Sequence, residues 1–392
     1  NMADFRKTVT YLKNKLLHNS CRDLIWFINI FPTLAGFSFT HLYSTKIYLF
    51  SATFWILHAL LSFYVYVYGT VLYEMYYANT FNESVNSYLN ISIFILIVNS
   101  SVWTLSKRYS LKVILKLITT NDDLVKENSS FLDKQRVNLR QIKFILILYY
   151  IFHFINDFCI FVPTRSINLA DGTIGTCFGL EPMDKSPNRE VCVLIVAVQE
   201  ITSMVAVASY DVTLIFLLAH TTAMYNILYE DILSLDDINN NQFATDEVSI
   251  RLKNYIIRHS FLLKTVRNLQ EIYSSAIGAG FGVNAMSLCL FLFLPLELWL
   301  ECAPIVYYSL CVFFLYCFQG QRLTTATERL EMAVYCCGWE KFDCKNRKMV
   351  LLMLKQSQKP VVLLAAHIVP IRIHTFATTM QSIYKFFAIF KL

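Results

Sequence analysis

Apolar positions along the chain gather into runs of bilayer length, separated by polar stretches rich in Lys and Arg. A helix needs about 20 apolar residues to cross roughly 30 Å of hydrocarbon, where only helices and closed barrels satisfy their own backbone groups. Ile47 to Tyr68 and Val85 to Leu105 hold no Asp, Glu, Lys or Arg, and Phe144 to Thr164 holds one, Asp157. Val191 to Met224 carries Glu200 and Asp211; Ile272 to Leu296 and Cys302 to Phe318 complete six runs. The last stretch divides. Met349 to Leu354 is only six apolar residues before a polar segment, so Arg347 to Gln358 predicts a helix outside the bilayer. Pro360 and Pro370 then interrupt the chain, and Ile371 to Leu392, 22 residues or about 33 Å as a helix, is long enough for a seventh crossing.

Helical period also continues outside these runs. Between Gln321 and Trp339, Leu323, Leu330, Ala333, Val334 and Cys337 share one side, with Arg322, Glu328, Arg329 and Glu331 largely on the other. Thr222 to Glu271 is amphipathic at both ends around the polar Asp236 to Asn241, which reads as a loop. The fourth, fifth and sixth helices are therefore expected to continue beyond the bilayer, and to pack either within one subunit or between subunits.

Loop charge orients the chain, because Lys and Arg accumulate on the cytoplasmic side. Arg6, Lys7, Lys13, Lys15, Arg22 and Lys46 precede the first run, whereas Gly69 to Ser84 has no basic residue and Ser106 to Gln141 has eight. The alternation holds at every later loop and places the amino terminus inside and the carboxyl terminus outside. Charged residues are 16% of the chain, against about 25% for a soluble domain, and hydrophobic ones are 56%. That balance excludes a soluble secreted domain, a nucleic-acid binder and a disordered chain. The eleven Cys show no CxxC, so no metal module, cofactor site or disulfide scaffold is expected. Cys177 and Cys192 flank the second outside loop, either as free thiols or as a bridge that would contribute about 3 kcal/mol. The sequon at Asn82 falls in the first outside loop, a candidate glycosylation site. No HExxH or GxSxG is present, which argues against an enzyme.

The carboxyl-terminal third carries a resemblance. Gly320-Gln321-Arg322-Leu323-Thr324, then Glu328, Ala333, Tyr335 and Trp339, then Arg347-Lys348 to Gln358-Lys359-Pro360, then Thr375-Phe376 and Tyr384 resemble insect odorant receptors. The ordered match covers about 70 residues and departs from that family's pattern at Lys385, where a small polar residue is usual. Gustatory-type channels of related pattern, or a metabotropic seven-helix chemoreceptor, are the alternatives.

The resemblance implies an all-α membrane protein of seven transmembrane helices with cytosolic helical extensions forming an anchor domain. It divides into a cytosolic segment (1–46), helices one to four (47–224), a cytosolic loop with anchor helices (225–271), helices five and six (272–320), an anchor region with a short helix (321–359) and a pore-lining helix (360–392). It also implies a tuning subunit that joins an odorant receptor co-receptor in a heterotetramer. That assembly would be a non-selective cation channel in the plasma membrane of olfactory sensory neurons, gated by a volatile such as a terpenoid or ester. Membrane lipid and permeant cations are the other partners; nucleic acid is not.

Helical rows put Ser382, Lys385, Phe386, Ile389 and Leu392 on one pore face, and the resemblance makes Ile389 the gate. Apolar rings with a few polar tips suit the ligand. The outer halves of helices two to five offer Tyr88 and Ile91, then Tyr150, His153, Phe154 and Phe158, then Val196, Gln199 and Ser203, then Asn284 and Leu288. Ionisable residues in a bilayer are functional candidates. Asp157 and Glu200 are expected to meet near Arg165 or Arg189, Asp211 to face the bundle interior, and Glu297 and Glu301 to draw cations.

Overall fold

A computed structural model describes residues 20–36, 38, 45–76, 80–123, 129–160, 177–180, 185–236, 245–294, 296–359 and 361–390. Most of Asp236 to Asn241, Arg165, Pro360 and Leu392, and the side chains of Asn82, Glu297 and Glu301, lie outside the described residues.

Two short helices open the described chain, α1 (Cys21–Ile28) and α2 (Ile30–Leu34). Ser20 caps α1, its hydroxyl accepting from the Asp23 N–H. The first crossing is α3 (Thr45–Ser62), which passes through a six-residue π-helical stretch, Phe63–Tyr68, into α4 (Gly69–Tyr76). Then come five long helices: α5 (Phe81–Asp123), α6 (Ser129–Ile160), α7 (Asn188–Leu233), α8 (Thr245–Leu292) and α9 (Leu296–Tyr335). Among the described residues six helices are long and apolar enough to cross a membrane.

At 1.5 Å per residue the 43, 46, 48 and 40 residues of α5, α7, α8 and α9 reach about 60–70 Å, twice the hydrocarbon thickness. The boundaries expected at 224/225, 271/272 and 320/321 thus fall inside unbroken helices. The anchor region is a set of extensions of the spans.

α7 is the axis of the bundle. From Val205 to Leu228 every residue but Val207 and Asn226 is buried, as a helix apolar on all sides requires, and α5, α6, α8 and α9 pack around it. At the end of the bundle where the basic loops lie, Arg258 donates to Asp231 at 2.7 Å and Lys134 sits 3.0 Å from Glu230. The Arg258 guanidinium also covers the Phe131 ring at 5.1 Å. Beyond α9, Gly338 turns the chain at φ 73° into α10 (Cys344–Ser357), capped by Asp343.

Hydropathy does not anticipate the hairpin of β1 (Leu364–Ala365) and β2 (Val369–Pro370). Gln270 on α8 accepts from the Leu364 N–H at 2.8 Å and donates to its carbonyl at 3.0 Å. Ser274 Oγ donates to the same carbonyl and accepts from the His367 N–H, both at 2.7 Å. A Cβ at Gly278 would lie 2.5 Å from that of Ala366, and one at Gly320 would collide with the Ile371 carbonyl; only glycine admits so close an approach. The hairpin, bolted to α8 and α9, leads directly into the last helix, α11 (Ile373–Phe390). With His374, Gln381 and Lys385 in its 18 residues, α11 is not among the six helices apolar enough to count as spans.

Candidate functional site

A cavity of about 150 Å³ lies between α5, α6, α7, α8 and α9, in the half of the bundle away from the basic loops. α5 contributes Ile93, Leu96, Ile97, Asn99 and Ser100, because these residues recur at helical spacing on the side facing α7 and α8. α8 contributes Ala276, Ile277, Gly280, Phe281 and Asn284, and α9 contributes Ile305, Tyr308, Ser309, Val312 and Tyr316. Small residues on α8 keep its backbone close to the space. An added Cβ at Gly280 would meet nothing within 4 Å.

The polar groups are concentrated at one end. Asp211 is 4% exposed, and Tyr149 and Tyr308 donate to its Oδ2 at 2.6 and 2.8 Å while Tyr316 donates to Oδ1. Three phenols from two helices thus satisfy a carboxylate that burial alone would make very costly. His153 stacks between Tyr149 and Tyr308, with ring centroids at 5.8 and 5.4 Å. Its Nε2 lies 3.3 Å from the Met204 carbonyl and 3.5 Å from Asp157. Its Nδ1, like Asn284 Oδ1, is buried without a hydrogen-bond partner among the described residues. The cavity is therefore apolar in its walls, with a small number of unspent polar atoms.

Of the ligand residues expected from sequence, His153, Ser203 and Asn284 line this cavity, and Gln199 is buried beside it, donating to Ser203 Oγ at 2.8 Å. Leu288 lines a narrower adjoining recess, which shares Ile93, Leu96, Ile305 and Ser309 with the cavity. The others lie elsewhere. Tyr88, Phe154 and Phe158 are exposed on the outside of the bundle, and Ile91 is half-buried away from the cavity. Tyr150 packs its ring on Phe27 and Phe31 at 5.3 and 5.0 Å. Val196 is enclosed with Val65, Tyr66 and Ile97 around the Cys177–Cys192 disulfide, which the structure forms.

Asp157, Glu200 and Asp211 all line the cavity. The whole α9 wall is absent from the residues expected by sequence. Its signal was present: Tyr308, Val312 and Tyr316 stand four residues apart on one face, and a mid-span Asp211 demands donors. On α11, Ser382, Lys385, Phe386 and Ile389 are all exposed on the single chain, Ile389 at 70%.

A family model described as 7tm odorant receptor matches residues 85–384. Odorant receptor 82a of Drosophila melanogaster is 23% identical over 193 residues, covering 47% of this chain and 49% of the relative. Odorant receptor 10a of the same fly is 24% identical over 175 residues, covering 42% and 43%. The match thus spans about half the length of these relatives or less. The solved structure of the insect olfactory receptor OR5 from Machilis hrabei in complex with eugenol is similar at a TM-score of 0.78. The likeness covers 94% of this chain and 97% of that one at 15% identity, and it concerns the fold.

Proposed function

The chain belongs to the 7tm odorant receptor family, which is a receptor family and not an enzyme family, and from that premise we propose that it is the tuning subunit of an odorant-gated cation channel. The observation that carries this reading is the cavity itself. An engineered apolar cavity of about 150 Å³ accommodates benzene, and this one has the same volume. A small volatile with an apolar body and a single polar group, such as a terpenoid or an ester, fits it. The apolar part meets Ile93, Ile277 and Phe281, and the polar tip reaches Asn284 or His153.

Binding opens a pore only if the open state holds the ligand better, by about 1.4 kcal/mol for each tenfold shift. A physical route for that difference runs from the cavity to α11. Phe281 of the cavity wall packs on Phe313 at 4.5 Å, and Phe313 on Phe376 of α11 at 5.2 Å. The hairpin adds a second link from α8. In a heterotetramer with co-receptor subunits, the exposed row Ser382, Lys385, Phe386 and Ile389 faces the pore axis. Converging Ile389 side chains exclude water and block cations without charge. Lys385 snorkels or is diluted by co-receptor subunits. Leu351, Leu352, Met332 and Tyr335, exposed beyond the spans, supply the platform where subunits meet. Tyr88, Phe154 and Phe158 face membrane lipid. The amino terminus is cytosolic, the carboxyl terminus and Asn82 extracellular, in the plasma membrane of olfactory sensory neurons.

The test is odorant-evoked current from cells expressing the chain with and without a co-receptor, over a panel of volatiles. Current should require both chains, and Ile389→Ala should raise the basal current. No response to any volatile, or an unchanged leak in Ile389→Ala, contradicts the reading.

A further inference from the structure

At the opposite end of the bundle from the cavity, three side chains that the channel reading does not use meet inside the protein. Cys21 opens α1, Asp122 stands next to the last residue of α5, and His220 belongs to the lower half of α7. Cys21 Sγ lies 3.8 Å from His220 Nε2, which lies 3.4 Å from Asp122 Oδ2. All three ligand atoms fall within 4.8 Å of one another. The residues are 7%, 4% and 1% exposed for Cys21, Asp122 and His220. Both carboxylate oxygens of Asp122 are buried without a hydrogen-bond partner among the described residues. The nearby Arg22 guanidinium reaches instead to Asp123, at 3.5 Å on the surface.

We propose that Cys21, Asp122 and His220 bind a divalent transition-metal ion of the zinc type. Geometry supports this first. Metal–sulfur bonds of about 2.3 Å and metal–nitrogen and metal–oxygen bonds of about 2.0 Å at a tetrahedral angle set the sulfur and nitrogen about 3.5 Å apart, and nitrogen and oxygen about 3.3 Å. The observed separations are 3.8 and 3.4 Å. Charge supports it next. A thiolate, a carboxylate and a neutral imidazole bring two negative charges, which a dication neutralises in a site where an uncompensated charge is costly. Ligand chemistry selects the ion, since a thiolate with an imidazole suits zinc and not magnesium or calcium. A thiol must lose its proton to bind the ion, so loading the site releases one. Three protein ligands leave a fourth position for water. The bound ion clasps α1 onto the end of α5 and the lower half of α7, tying α1 to the axis of the bundle.

The experiment uses full-length protein purified in detergent, stripped with a chelator and titrated with cobalt(II) as a spectroscopic probe. The wild type should show one saturable equivalent with thiolate-to-cobalt charge-transfer absorption, displaced by zinc. Cys21→Ser should abolish the band, and the near-isosteric Asp122→Asn should weaken cobalt binding at least tenfold while leaving the metal-free melting temperature within a few degrees. Zinc should raise the melting temperature of the wild type and not that of Asp122→Asn. A wild type that takes up no cobalt overturns the site, as does a band that survives Cys21→Ser through the exposed Cys336 and Cys344. Channel currents do not enter this test, so it fails or succeeds separately from the odorant-gating reading.

Discussion

At the residue scale, the position most constrained by physics is Asp211. A carboxylate among hydrophobic helices is tolerable because three tyrosine hydroxyls converge on it, and those hydroxyls in turn have no better acceptor. Removing the carboxylate therefore strands donors, at about 1–3 kcal/mol for each one left unsatisfied. Asp211→Leu should lower the melting temperature in detergent by several degrees, and Asp211→Asn by distinctly less, since the amide oxygen still accepts. Equal melting temperatures would show that the phenols find other partners. The same cluster illustrates what a sequence conceals. Asp211 inside a span announces a buried polar site, and facing the interior is where it is found. Its donors, however, come from α6 and α9, far away in the chain, and no local pattern links them to it. His153, Ser203 and Asn284 were legible because they are polar residues in apolar runs. Phe154 and Phe158 were misleading for the converse reason: an aromatic ring in a span serves lipid as well as ligand.

At the element scale, length was the most legible quantity. The uninterrupted apolar-then-amphipathic patterns predicted that the fourth, fifth and sixth helices outrun the bilayer, and α7, α8 and α9 do so by about a factor of two. The hairpin was not legible. Pro360 and Pro370 announced a break but not its form, and the positive φ of Ala366 and His367 is held by contacts with Ser274 and Gly278 on α8 and not by turn-forming residues. This makes the hairpin a tertiary feature and a mechanical one, because it joins the cavity helix α8 to α11. Gly320→Ala should push the hairpin away through the Ile371 carbonyl, a misfit of about 1–3 kcal/mol. The expected readout is a reduced maximal odorant current at unchanged surface expression. A full-sized response would mean that the docking of the hairpin has no part in gating.

At the scale of the whole molecule, α3, α5, α6, α8 and α9 packed on α7 make a scaffold with two distinct ends. One end holds the cavity and the Cys177–Cys192 bridge; the other holds the ion pairs of Lys134, Asp231 and Arg258, together with the Cys21, Asp122 and His220 cluster. Odorant gating requires that the cavity be where a volatile acts to open the pore. Gly280 provides the most direct test, because a side chain added there grows into open space and not into packed neighbours, and leucine is the better helix former by about 1 kcal/mol. Gly280→Leu should therefore fill the cavity while preserving the fold. The measurement is a dose–response curve for an active volatile, recorded with the co-receptor present, for the wild type and Gly280→Leu. A shift of at least tenfold toward higher concentration, about 1.4 kcal/mol, with basal current unchanged, is the predicted result; coincident curves would contradict it.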